Sequence, residues 1–391
     1  MRRLRGAAAA ALLTAALVGA GILLRRAVAP ASAPPSGHPA AEALLGGTGK
    51  EGFERATSPR PFRFPEDQGP HPGFRHEWWY FTGNLRTPDG RQFGYQLTFF
   101  RFALSPPGGP PRASRWATTQ AYMAHFAVTD VRGRRFRFFE RLGRGAMELA
   151  GASSIPFRVW IDDWSADGGA APSSPVRLRA GQAGVSIDLT LDPERPVLPQ
   201  GDRGLSRKGA EPGNASYYYS ISRLATRGTV RIDGIPEPVE GTSWLDREWG
   251  TSALNAEQTG WDWFALQLSD GRDLMFYRFR KKDGGEDPFS AGTLLLPDGS
   301  RKRLSAADVR IDALGSWRSP ASGVRYPSGW KVRLPSEVLA LEVLPRLPDQ
   351  ELRTSVRYWE GAVSVRGTAQ GAAVAGEGYV ELTGYGSAEA P

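Results

Sequence analysis

Trp78-Trp79-Tyr80-Phe81-Thr82-Gly83-Asn84-Leu85, closed by Arg86-Thr87-Pro88-Asp89-Gly90-Arg91 and answered by Phe93 to Phe102, is the stretch that decides the fold. Two aromatic-rich runs joined through Pro-Asp-Gly read as a β-hairpin, because glycine supplies the positive φ that a tight turn needs. The same design returns downstream. Trp261 to Leu268, the turn Ser269-Asp270-Gly271-Arg272, and Leu274 to Arg280 place Trp261, Phe264 and Leu268 at a constant offset of 183 from Trp78, Phe81 and Leu85. A period that long is no solenoid and reads as two similar β-domains, with chance likeness of two hairpins as the alternative.

Outward from the hairpins the pattern is uniform. With 47 glycines and 31 prolines in 391 residues, long helices are disfavoured, and short runs bounded by Gly, Pro, Asp and Ser alternate along the chain. The expectation is an all-β protein of two tandem up-and-down antiparallel β-barrels, with a β-sandwich as the structural alternative. The first barrel is expected over 60–236 and the second over 237–391, with Gly234-Ile235-Pro236-Glu237-Pro238 as the junction. A small closed barrel has an interior for side chains or for one small ligand.

The N-terminus is a separate matter. Gly6 to Leu24 is a nineteen-residue stretch without a charge, between arginines at 2, 3 and 5 and at 25 and 26. As a helix it would be about 28 Å long, close to the thickness of a bilayer core. Residues 1–37 therefore read as an export signal or membrane anchor, and 38–59, rich in Pro, Ala and Gly, as a flexible tether. The body is expected to be periplasmic or extracytoplasmic, secreted or anchored to the inner membrane.

Removing those five arginines from the 49 basic residues leaves 44 against 41 acids, so the net charge of +8 falls to +3. No basic stripe or nucleic-acid motif survives the subtraction. With no cysteine, thiolate metal sites and thiol nucleophiles are excluded. No His-Glu-x-x-His, Gly-x-Ser-x-Gly or P-loop string is present, and we expect no metal and no cofactor.

Acids beside indoles carry the chemical signal: Glu77-Trp78-Trp79, Asp163-Trp164, Trp244-Leu245-Asp246-Arg247-Glu248-Trp249, Trp261-Asp262-Trp263 and Trp359-Glu360. An acid next to the largest apolar side chain must reach water, find a cation or shift its pKa upward. In an extended strand Asp246 and Glu248 point the same way and Arg247 the opposite way, so one acid of the pair is expected to hold its proton; a structural ion network is the other reading. His125 shares a strand face with Met123 and Ala127, as a proton carrier at a cavity wall or as a bonded core residue. Asp262 is in phase with Phe264 and Leu266, capping a barrel end or buried with a partner. Tyr217-Tyr218-Tyr219 alternates between core and rim.

The strings His76-Glu77-Trp78-Trp79-Tyr80, Ala124-His125-Phe126-Ala127, Gly213 to Ser220, Trp244 to Trp249 and Gly260 to Phe264, with Tyr358-Trp359-Glu360-Gly361 and Gly378-Tyr379-Val380-Glu381, resemble the AttH-like secreted proteins, which belong with the carotenoid 1,2-hydratases. The resemblance covers about residue 60 to Gly386. It implies paired lipocalin-like barrels and a hydrophobic ligand. In the hydratase branch a carboxylic acid protonates an isoprenoid double bond beside aromatic faces; the AttH-like branch looks like an accessory of ABC transporters acting on lipids or lipoproteins. The chain departs from the pattern at Arg247, where histidine is usual.

The expected function is accordingly an exported protein that binds a lipid or isoprenoid, as an accessory to an ABC-type transport system and its permease. The alternative is a hydratase or hydrolase using Asp246, Glu248 and His125. Expected ligand contacts are His76, Glu77, Trp78, Trp79, Tyr80, Tyr217, Tyr218, Trp244, Trp249, Trp261, Asp262 and Trp263.

Overall fold

The computed structural model describes residues 51–109, 114, 116–252 and 254–386, so the 6–24 stretch lies outside the described residues. No α-helix occurs among them. The first sheet is built from β1 (His76–Arg86), β2 (Gln92–Ala103), β3 (Gln120–Asp130), β4 (Arg135–Arg144), β5 (Ala150–Ser154), β6 (Phe157–Ile161), β7 (Trp164–Gly168), β8 (Val176–Gln182), β9 (Val185–Pro193), β10 (Leu198–Pro199), β11 (Leu205–Arg207), β12 (Ala215–Ile232) and β13 (Ile235–Gly250). Its strands run in the order β4-β3-β2-β1-β13-β12-β9-β8-β7-β6-β5 and curl until β4 meets β5 and β6, a nearly closed barrel.

The second sheet uses β14 (Gln258–Leu268), β15 (Asp273–Lys281), β16 (Ala291–Leu295), β17 (Arg301–Ser305) and β18 (Arg310–Ala313). After the small ribbon of β19 (Ser316–Arg318) and β20 (Arg325–Pro327) come β21 (Trp330–Leu334), β22 (Leu339–Pro345), β23 (Glu351–Arg353), β24 (Arg357–Ala369) and β25 (Ala372–Thr383). It forms a half-barrel, β17-β16-β15-β14-β25-β24-β22-β21-β18. The fold is all-β, with two tandem barrels.

The repeated hairpins are β1–β2 and β14–β15, and in both turns the glycine takes the expected positive φ, 82° at Gly90 and 86° at Gly271. Phe81 and Leu85 enter the first core and Phe264 and Leu268 the second. Strand alternation thus assigns equivalent residues to equivalent interiors.

Two expectations need correction, and a choice left open is decided. Gly234 lies in a hairpin turn, because Ile232 pairs with Ile235 and β13 then runs the length of β1; the chain leaves the first sheet only after Gly250. The end of the expected tether is packed, with Ala56 buried and the Glu54 amide donating to the Gly73 carbonyl at 2.8 Å. Of the two contents a small barrel allows, side chains take both interiors. Trp79, Phe81, Phe99, Phe126 and Trp164 fill the first interior and Phe264, Trp330 and Trp359 the second. Trp164 stands edge-on to Phe126 at 5.6 Å and donates to the Gly181 carbonyl at 3.0 Å. Trp164→Ala should therefore cost about 3–5 kcal/mol in urea unfolding, the range for emptying a packed aromatic site; a change below about 1 kcal/mol would contradict a filled interior.

The barrels are docked through their outer faces. Asn84 Nδ2 donates to the Gly378 carbonyl at 3.0 Å, Thr129 Oγ1 to Gln350 Oε1 at 2.8 Å, and Ser222 Oγ to Asp273 Oδ2 at 2.8 Å. A cleft remains along this seam.

Candidate active site

Register writes one wall of the cleft. On the outer face of the first sheet, Met123, Phe100, Trp78, Glu248 and Tyr218 stand side by side on five neighbouring strands. The next row is His125, Thr98, Tyr80, Asp246 and Ser220. The second sheet supplies the facing row Tyr277, Trp263, Glu381 and Glu360. Of these, all but Ser220 and Glu360 border the space, with His76, Phe102, Lys208, Trp261, Phe279 and Tyr358. The cavity measures about 110 Å³ and is partly open to solvent.

Asp246 is the group set apart. It is 3% exposed, and its Oδ1 accepts hydrogen bonds from Ser220 Oγ at 2.6 Å and Trp244 Nε1 at 2.7 Å, while Tyr218 Oη donates to Oδ2. Burial pushes its carboxyl up to about 7 despite these three donors, and neighbouring Glu248 adds to the rise. The sequence argument from like-charge repulsion thus names a minor cause; loss of water is the larger one. Glu248 is instead paired, with Lys208 Nζ at 2.9 Å. Burial works against the Lys208 ammonium, but the negative charge of Glu248 raises it, and the ring of Tyr277 lies 4.5 Å away.

A second acid centre lies opposite. Glu360 and Glu381 are cross-strand partners; Tyr80 Oη donates to Glu360 Oε1 and Trp261 Nε1 to Glu381 Oε1, both at 2.5 Å. Burial pushes both carboxyls up, and Glu381 adds to the rise at Glu360. His125 sits further along the wall, its Nδ1 2.7 Å from Tyr358 Oη and its Nε2 3.0 Å from Glu140. Burial holds His76 down to about 3, so it borders the cleft as a neutral ring.

Of the residues expected in the site, His76, Trp78, Tyr80, His125, Tyr218, Asp246, Glu248, Trp261 and Trp263 meet at the cleft, with Trp244 packed behind Asp246. Glu77, Trp79, Tyr217, Trp249 and Asp262 do not. Alternation turns the first four to the other side of the first sheet, and Asp262 is buried in the second, with Arg278, Arg280 and Tyr385. Arg247 also faces away. It pairs with Glu77 and stacks on Trp79 at 4.0 Å, with His71 Nδ1 3.1 Å away, so the departure at this position leaves the cleft wall untouched. Lys208, Phe100, Tyr277 and Glu381 had carried no signal as site residues. Glu381 was legible only as part of a string; its partner Glu360 comes from a different strand.

Comparison with known proteins agrees with this architecture. The AttH-like family profile matches residues 55–385. The structure of an AttH protein from Nitrosomonas europaea is similar at 34% identity, covering 85% of this chain and 100% of that one, with a TM-score of 0.76. Kievitone hydratase from Nectria haematococca shares the fold at 16% identity, covering 86% and 97%, with a TM-score of 0.65. In sequence, kievitone hydratase of Fusarium solani subsp. phaseoli is 24% identical over 216 residues, 54% of this chain and 60% of that protein's length. The chain belongs to the AttH-like family.

Proposed function

We propose that this AttH-like protein is a hydratase-class enzyme that adds water across a carbon–carbon double bond of an apolar substrate held between its two barrels. The observation that carries the reading is Asp246, a carboxyl that keeps its proton near neutral pH at the wall of an aromatic cleft. A relative named kievitone hydratase supports the same class of reaction.

The step is acid addition. Asp246 gives its proton to one alkene carbon, and the electron pair of the double bond forms the new C–H bond. The cation left on the other carbon faces the rings of Trp78, Trp261 and Trp263, whose quadrupoles stabilise positive charge. Water adds to that carbon and returns a proton to the Asp246 carboxylate, so the enzyme ends as it began.

The direct test incubates the purified protein with the apolar metabolites of its host in ¹⁸O-labelled water and follows them by mass spectrometry. A product heavier by one labelled water supports hydration. A ligand recovered unchanged, bound and unlabelled, would instead describe a carrier that hands the same cargo to a transporter. Because the acid form is the active one, kcat/KM should fall about tenfold per pH unit once pH passes about 7. A profile flat to pH 9 would exclude Asp246 as the acid.

A further inference from the structure

We propose that Leu104, Trp116, Leu142, Met147 and Leu149 form a ledge that seats the protein on a lipid bilayer, with the cleft opening onto the lipid. The wall row Trp78, Phe100, Met123 continues by register to Leu142, which is 68% exposed. Phe102, at the cleft, is followed two residues later by Leu104, 62% exposed. Backbone bonds hold these parts together: the Leu104 amide donates to the Thr119 carbonyl at 2.8 Å, and Gly145 to Gln120 at 3.0 Å. The loops carrying Trp116, Met147 and Leu149, all exposed, are thereby brought to one end of the sheet. Single exposed apolar side chains are ordinary, whereas several gathered at one end of a sheet mark a contact surface, and an exposed tryptophan suits a membrane interface. Arg144, also exposed, is cross-strand partner to Ala121 within this set.

The chain itself argues for a bilayer as the occupant. The uncharged stretch 6–24, flanked by arginines, precedes the body. The described body begins at Glu51, and Pro106, two residues past Leu104, lies so close to Gly52 that a side chain there would meet its ring at 2.8 Å. The described residues therefore start beside the ledge. An apolar substrate leaving the bilayer would move along Leu142 and Met123 into the cleft without crossing water. Only this last point rests on the hydratase reading.

The absence of cysteine makes the test clean. Leu142→Cys and, on the second barrel, the exposed control Val338→Cys are each labelled with a solvatochromic dye in the full chain, reconstituted in vesicles of phosphatidylethanolamine and phosphatidylglycerol. The dye at 142 should shift to the blue and be quenched several-fold more by brominated lipid than the dye at 338. Equal quenching at both positions would overturn the proposal. So would a dye at 142 shielded in detergent without a bilayer together with a doubled mass, which would make the ledge a contact between two copies. No turnover is read, so the same chain carrying Asp246→Asn should give the same label result whether or not hydration is correct.

Discussion

On the hydratase reading, Asp246→Asn should lower turnover by about a hundredfold to ten-thousandfold while leaving the fold intact, because the amide keeps the shape of the side chain and has no proton to give. Its effect on stability has the opposite sign. The folded carboxyl holds its proton up to about pH 7, against an ordinary value of 3.8. The native state thus binds a proton that the unfolded chain has already lost, and the contribution of this group to wild-type stability falls as pH rises from about 4 to about 7. Asparagine does not titrate. The variant should gain on the wild type across that window, by on the order of 4 kcal/mol at most, and the gap should be constant above it. Urea unfolding at pH 5 and pH 8 measures this; a gap that narrows toward pH 8 would refute the assignment.

Glu77→Gln is expected to be the most destabilising of the conservative changes. Glu77 is fully buried and lies between Arg101 and Arg247, with His71 Nδ1 at 3.2 Å. Burial alone would raise its pKa, but the two guanidiniums hold it well below the usual carboxylate range. Neutralising it leaves two cations buried without their counter-ion, a loss of about 3–5 kcal/mol. Since the folded pKa is depressed, this contribution is complete above the ordinary carboxylate value and is lost only as pH falls through the folded one. Equilibrium unfolding at pH 7 checks the size; a loss under about 1 kcal/mol would mean the network is solvated and unimportant.

The two hairpins were readable because each couples a two-residue period to a turn glycine, and both signals are local. So was the shared face of Asp246 and Glu248. What could not be read was which side of each strand looks inward, since Trp78 and Trp79 are equally apolar and only the whole sheet decides between them. For the same reason Glu77, Trp249 and Asp262 were indistinguishable from true cleft residues. Lys208 lies between β11 and β12, where no period exists, and the pairing of Glu360 with Glu381 depends on register between β24 and β25. The junction was misplaced because Gly-Ile-Pro-Glu-Pro punctuates a hairpin as readily as a linker.

Placing the cleft on the outward sides of strands whose inward sides hold each barrel together gives the two properties separate addresses in the same segment. Odd-numbered positions of β1 and β13 answer to folding and even-numbered ones to the cleft, and on β14 the parity is reversed, so changes at Trp78 or Trp261 can retune what is accepted with little penalty to either core. A modest tilt of one barrel against its neighbour would widen or narrow the gap between them in the same way, giving descendants of this chain a route to clefts of other sizes that leaves both interiors as they are.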